Sequence, residues 1–119
     1  MNRRKKGEFF ETKAVEFLQN KGYVLLDRNV YLSHGEIDLI MGFEDEIVFV
    51  EVKSLKAGTG FSIYESLTRS KISKLRRSIL TWINKKNFHS RLWRLDFIGI
   101  IYRDEEVLEI EHIVNIEMD

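Results

Sequence analysis

Apolar and polar positions change period several times along the chain. From Glu8 to Lys21 apolar residues recur at helical spacing (Phe10, Ala14, Val15, Phe17, Leu18), and Gly22 supplies a stop. Tyr23 to Tyr31 reads as a strand interrupted by Asp27-Arg28-Asn29. Two short β-rich runs follow, Glu36 to Met41 and Ile47 to Lys53, with the polar stretch Phe43-Glu44-Asp45-Glu46 as a hairpin loop. Leu55 to Phe61, with Gly58-Thr59-Gly60, is expected to be a mobile connection. A second helix beginning at Tyr64 or Ser70 and ending at Lys85 aligns Ile72, Leu75, Ile79, Trp82 and Ile83 on one face. Leu92 to Tyr102 and Glu106 to Val114 read as two more strands, with Arg103-Asp104-Glu105 as the turn. This order predicts an α/β fold, a mixed central sheet of about five strands flanked by helices on both faces. Strand order within the sheet does not follow from the pattern.

At 119 residues the chain fits one domain. The absence of cysteine excludes disulfides, thiolate metal sites and thiol nucleophiles. No apolar run approaches the ~18 residues of a membrane span, so no membrane role is expected. The start, MNRRKKGEFF, is basic with no apolar stretch behind it; it does not read as a signal peptide, and the cytoplasm is the expected compartment. Residues 1–6 are expected to be a flexible basic arm. Net charge is zero but segregated. Ser66 to Leu95 carries nine basic residues and no acid, whereas Asp96 to Asp119 carries eight acids and one base. Such asymmetry gives a neutral protein a local positive field that suits nucleic acid, although a solvated helix face explains it equally well.

Candidate chemistry lies between Glu36 and Lys53. Side chains alternate faces along a strand, so Phe49, Glu51 and Lys53 share one face while Val48, Val50 and Val52 share the other. Glu36, Asp38 and Ile40 share a face of the preceding strand by the same rule. Paired as a hairpin, the strands bring Asp38, Glu51 and Lys53 together at one edge. A carboxylate–lysine ion pair at a strand end is one explanation. The other is a hard divalent cation, Mg²⁺ or Mn²⁺, held by Asp38 and Glu51 oxygens, with Lys53 steadying a substrate phosphate. The first helix bears on this choice. With Phe10 at zero and about 100° per residue, Glu11 falls at roughly 100°, inside the apolar arc, and Glu16 near 240°, on the solvent side. A carboxylate aimed at a sheet is costly without a partner, whereas one at the rim reaches water.

The run GEIDLI (Gly35 to Ile40) followed by VFVEVK (Val48 to Lys53) resembles the signature of the small bacterial YraN-like endonuclease family. These are distant relatives of archaeal Holliday junction resolvases in the PD-(D/E)XK restriction-endonuclease-like superfamily. The resemblance covers nearly the whole chain. It includes Glu11, Ala14, Leu18, Gly22 and Tyr23 in the first helix pattern, Asn29, Lys71 and the pair His112-Ile113. It implies a restriction-endonuclease-like αβββαβ core in a single domain spanning 1–119. It also implies that Glu11, Asp38, Glu51 and Lys53 are catalytic, with Asp38, Glu51 and the Val52 backbone carbonyl binding metal. Phe10 departs from the family's usual glycine, Ser54-Leu55 from Thr-Arg, and Leu95 from an aromatic.

The expected reaction is metal-dependent endonucleolytic hydrolysis of DNA, with branched DNA such as a Holliday junction as one candidate substrate. The competing reading is a nucleic-acid-binding module with a nuclease-like fold and little catalysis. Lys74, Arg77 and Lys85 fall opposite the apolar stripe of the second helix and suit phosphate contacts, while Lys71 lies at its border, nearer the site. Lys71, Lys74, Arg77 and Ser54 are the candidate DNA contacts. Trp82 and Trp93 read as core, and His34, His89 and His112 as surface or satisfied structural histidines. A homodimer, one copy per strand, is expected for so small a chain.

Overall fold

The computed structural model describes residues 1–117. Helix α1 spans Arg3–Asn20, strand β1 Val24–Leu32, β2 Gly35–Phe43, β3 Glu46–Lys56, helix α2 Arg69–Lys86, β4 Leu92–Arg103 and β5 Glu106–Ile113, with a short 3-10 turn at Ile63–Ser66. The five strands form one sheet in the order β1-β2-β3-β4-β5. β1, β2 and β3 make an antiparallel meander, β3 and β4 run parallel across the α2 crossover, and β5 returns antiparallel to β4. This mixed sheet with two helices is consistent with a restriction-endonuclease-like core.

The two helices cover opposite faces, as the alternation requires. Phe10, Ala14, Val15 and Leu18 of α1 pack on Leu39, Met41, Val48, Val50, Ile98 and Ile100. Leu75, Ile79, Trp82 and Ile83 of α2 pack on Ile37, Ile40, Ile47, Phe49 and Leu95. Phe49 and Val50, adjacent in β3, therefore belong to different cores. Gly99 in β4 admits the 3-10 turn; a Cβ there would stand 2.6 Å from Ile63 Cγ2.

Several boundaries differ from the sequence expectation. Helix α1 begins at Arg3, so Arg3-Arg4-Lys5-Lys6 is helical and not an arm. Four cations at a helix N-terminus oppose its dipole, but the Asn2 side chain accepts a hydrogen bond from the Lys5 N–H at 2.9 Å and caps the turn. Asp27-Arg28-Asn29 does not break β1; a bulge between Leu25 and Asp27 and a left-handed Asn29 (φ 53°) absorb it. β3 runs on to Lys56, which shortens the following connection. The Tyr64 region forms its own 3-10 turn, and α2 starts at Arg69, with Thr68 as its cap.

Candidate metal centre

The site forms where the sheet splits. β2 and β3 pair from Phe43 with Glu46 to Leu39 with Val50, and there the pairing ends. β3 continues against β4, so its next N–H groups on the β2 side need other acceptors. Asp38 provides one: its Oδ2 accepts from the Val52 N–H at 2.8 Å. The aspartate thus fills the fork between two parting strands and ties the Val52 backbone to the site.

At this fork β2 departs from simple alternation. Ile37 lies in the core under α2 and Leu39 in the core under α1, so the phase changes at Asp38. Glu36, Asp38 and Ile40 therefore do not share one face, which corrects the expectation from spacing. The cause is local: β3 no longer holds β2 here, and left-handed Asn29 stands opposite Asp38 on β1.

Four carboxylates border the fork. Single oxygens of Glu11, Glu36 and Asp38 lie within 4.8 Å of one another. Glu11 is on the sheet side of α1, with its side chain 13% exposed, as its wheel position predicts. Burial raises its carboxyl above the usual range and the Glu36 carboxylate adds to this, while hydrogen bonds from Asn29 and Arg28 oppose the rise. Burial, and then the neighbouring Glu51 carboxylate, push Asp38 far above the ordinary range. Glu51 is itself buried on the α2 side. Its Oε2 lies 3.0 Å from Lys71 Nζ. Lys71 thus reaches the site from the border of the α2 apolar face.

Lys53 follows Glu51 on the same side of β3 and is exposed. Ser54 lies on the other side, half-buried. Lys74 and Arg77 are exposed on α2. A cleft of about 160 Å³ between α2 and the fork is lined by His34, Gly35, Glu36, Glu51, Lys71 and Lys74. On the α1 side a second cleft, about 410 Å³, is lined by Arg3, Arg4, Glu11, Asn29, Tyr31 and Glu36. Glu36 and Asn29 were not picked out as site residues by spacing. The GEID run placed Glu36 near the site, but its association with Glu11 depends on the shape of β1.

Two of the three histidines have clear structural partners. His89 lies 3.1 Å from Asn84 Oδ1. His112 Nε2 donates to Asp96 Oδ2 at 2.8 Å, and its Nδ1 accepts from Lys21 Nζ at 3.0 Å. Trp82 is buried and Trp93 packs beside the same core.

The oxygens that Glu11, Glu36 and Asp38 bring together at the fork are carboxylate oxygens, a donor type that suits a hard cation. Burial first, and the Glu51 carboxylate second, drive Asp38 upward, and a cation at the fork would offset both.

Comparison with known proteins agrees with the motif. A UPF0102 protein of Sulfurihydrogenibium sp. is 34% identical over 117 residues, covering 98% of this chain and 100% of the relative. A UPF0102 protein of Clostridioides difficile is 38% identical over 116 residues, 97% of this chain and 98% of its own. One of Geotalea daltonii is 38% identical over 108 residues, 90% and 84% respectively. The model described as uncharacterised protein family UPF0102 matches residues 10–100, from the buried Phe10 through both motif strands and α2 into β4, and the chain belongs to that family.

Proposed function

We propose that the protein is a divalent-metal-dependent endonuclease that hydrolyses DNA phosphodiesters. The observation that carries this reading is the position of Asp38 in the strand fork, between Glu51 on one side and Glu11 and Glu36 on the other. A partly buried acid cluster of this kind, closed on the α2 side by the buried Glu51, is costly in a protein that binds no cation.

Asp38, Glu51 and the Val52 carbonyl would hold Mg²⁺ or Mn²⁺, with Glu11 completing the set from α1. The ion supplies Lewis-acid polarisation of the phosphate and acidifies the attacking water. In the hydrolysis, water adds to phosphorus and loses a proton, the bond to the departing sugar oxygen breaks, and that oxygen takes up a proton. The Lys53 ammonium offsets the negative charge that grows on the phosphoryl oxygens. Lys71 and Lys74 line the cleft and Arg77 is exposed on the same helix, from which they would meet the phosphate backbone without reading bases.

The test incubates the protein with branched, single-stranded and linear duplex DNA in Mg²⁺, Mn²⁺ or chelator, beside Asp38→Asn and Lys53→Ala. Cleavage should require the metal, vanish in Asp38→Asn and fall about 10²-fold or more in Lys53→Ala. Cleavage that persists in both variants is a contaminant's and removes the enzyme reading. DNA binding without cutting in any metal assigns the fold to a binding module.

A further inference from the structure

Asn29 holds an unusual position. Its backbone lies in the left-handed region at φ 53°, which few side chains other than glycine and asparagine adopt readily. That turn of the main chain aims its amide into the gap between α1 and β2. Nδ2 donates to Glu11 Oε1 at 2.8 Å and to Glu36 Oε1 at 2.8 Å. The two protons of one nitrogen therefore serve carboxylates from two different elements. The preceding residue grips the same helix: Arg28 Nη2 lies 3.6 Å from Glu11 Oε1 and reaches Thr12 Oγ1 at 3.3 Å.

The choice of an amide has an electrostatic consequence. A lysine or arginine bridging Glu11 and Glu36 would neutralise them and compete with any cation. A neutral amide holds the two oxygens in place without adding a charge of its own, so Arg28 at 3.6 Å from Glu11 is the cation that faces the pair. Each carboxylate also retains an oxygen that Asn29 does not engage.

We propose that Asn29 is a positioning residue for the metal centre, bracing Glu11 against Glu36 so that Glu11 faces Asp38 and completes the carboxylate set around the cation; this rests on the metal-dependent reading above. A merely structural Asn29 makes a different prediction. Asn29→Gly keeps φ 53° without strain but loses two hydrogen bonds to carboxylates, so stability would fall while the folded variant bound metal as the wild type does.

The experiment measures Mn²⁺ binding by calorimetry, together with thermal denaturation, for the full chain and for Asn29→Gly and Asn29→Ser. Asn29→Gly should weaken Mn²⁺ binding about tenfold or more while keeping its fold. Asn29→Ser, whose one proton serves one carboxylate, should lose less. Wild-type affinity in Asn29→Gly overturns the proposal and leaves the metal reading standing. An unfolded state in both variants overturns it in favour of a structural role. Failure of the wild-type chain to bind Mn²⁺ sinks the metal reading as well.

Discussion

Among single residues, Lys71 sets the electrostatic balance of the fork. Its ammonium is the cation nearest the buried Glu51, at 3.0 Å, and its own side chain is 37% exposed. Substituting Lys71→Met strands a buried carboxylate. We expect the metal-free protein to lose about 1–3 kcal/mol, below the cost of breaking a fully buried pair because the lysine is partly solvated. Mn²⁺ should bind more tightly to the variant, since Glu51 Oε2 is released. Thermal denaturation in chelator and Mn²⁺ calorimetry check both outcomes, and unchanged values in both would remove Lys71 from the balance. The positions of Glu11, Glu51 and Lys53 were legible from periodicity, because a helix wheel and a strand's two faces follow from local geometry. The roles of Glu36 and Asn29 were not. They depend on a change of phase in β2 that no residue pattern in β2 announces, and on a left-handed turn in the neighbouring strand.

Among elements, β4 and β5 carry a second polar structure, away from the fork. Asp96 has no solvent exposure and accepts hydrogen bonds from Arg94, His112 and the Asn115 N–H. Arg94 also reaches Glu46 and the Tyr23 hydroxyl, joining β4 to the starts of β3 and β1. Burial alone would raise the Asp96 carboxyl; the bonds from His112, Arg94 and the backbone reverse this and hold it below its ordinary value. A carboxyl depressed in the folded state contributes stability above its unfolded value, about 3.9, and loses it as pH falls through the lower folded value. The wild-type chain should therefore lose stability progressively below about pH 4, with Asp96→Asn showing a shallower acid limb and a neutral-pH penalty of about 3–5 kcal/mol. Melting temperatures from pH 3 to 7 for the two proteins decide this, and parallel curves would refute it. The existence and order of both helices and all five strands were readable in advance, because helical spacing marks the helices and short β-rich apolar runs between turn residues mark the strands. The N-terminal boundary was not, since four consecutive cations suggest fraying and the Asn2 cap outweighs them. Strand order was not readable either, because the parallel β3–β4 contact is made across a long crossover.

At the scale of the whole molecule, charge is sorted by element. The exposed side of α2 is basic, and β5 and its turn are acidic. If α2 meets phosphates, binding must weaken as salt rises, because each neutralised phosphate releases counterion. Lys74→Ala combined with Arg77→Ala should lower the slope of log affinity against log salt by about 2, with little change in preference among DNA sequences. Binding isotherms at several salt concentrations measure it, and an unaltered slope would place the DNA elsewhere. The connection after β3 divides these properties. Residues 1–56 carry Glu11, Asn29, Glu36, Asp38, Glu51 and Lys53, while α2 lies wholly beyond it. The acidic cluster and the basic helix thus occupy successive stretches of chain, stitched together by the parallel β3–β4 seam and meeting at the Lys71–Glu51 contact. On the proposed reading, a change in the exposed face of α2 can therefore alter substrate grip while the acids on the first 56 residues stay as they are.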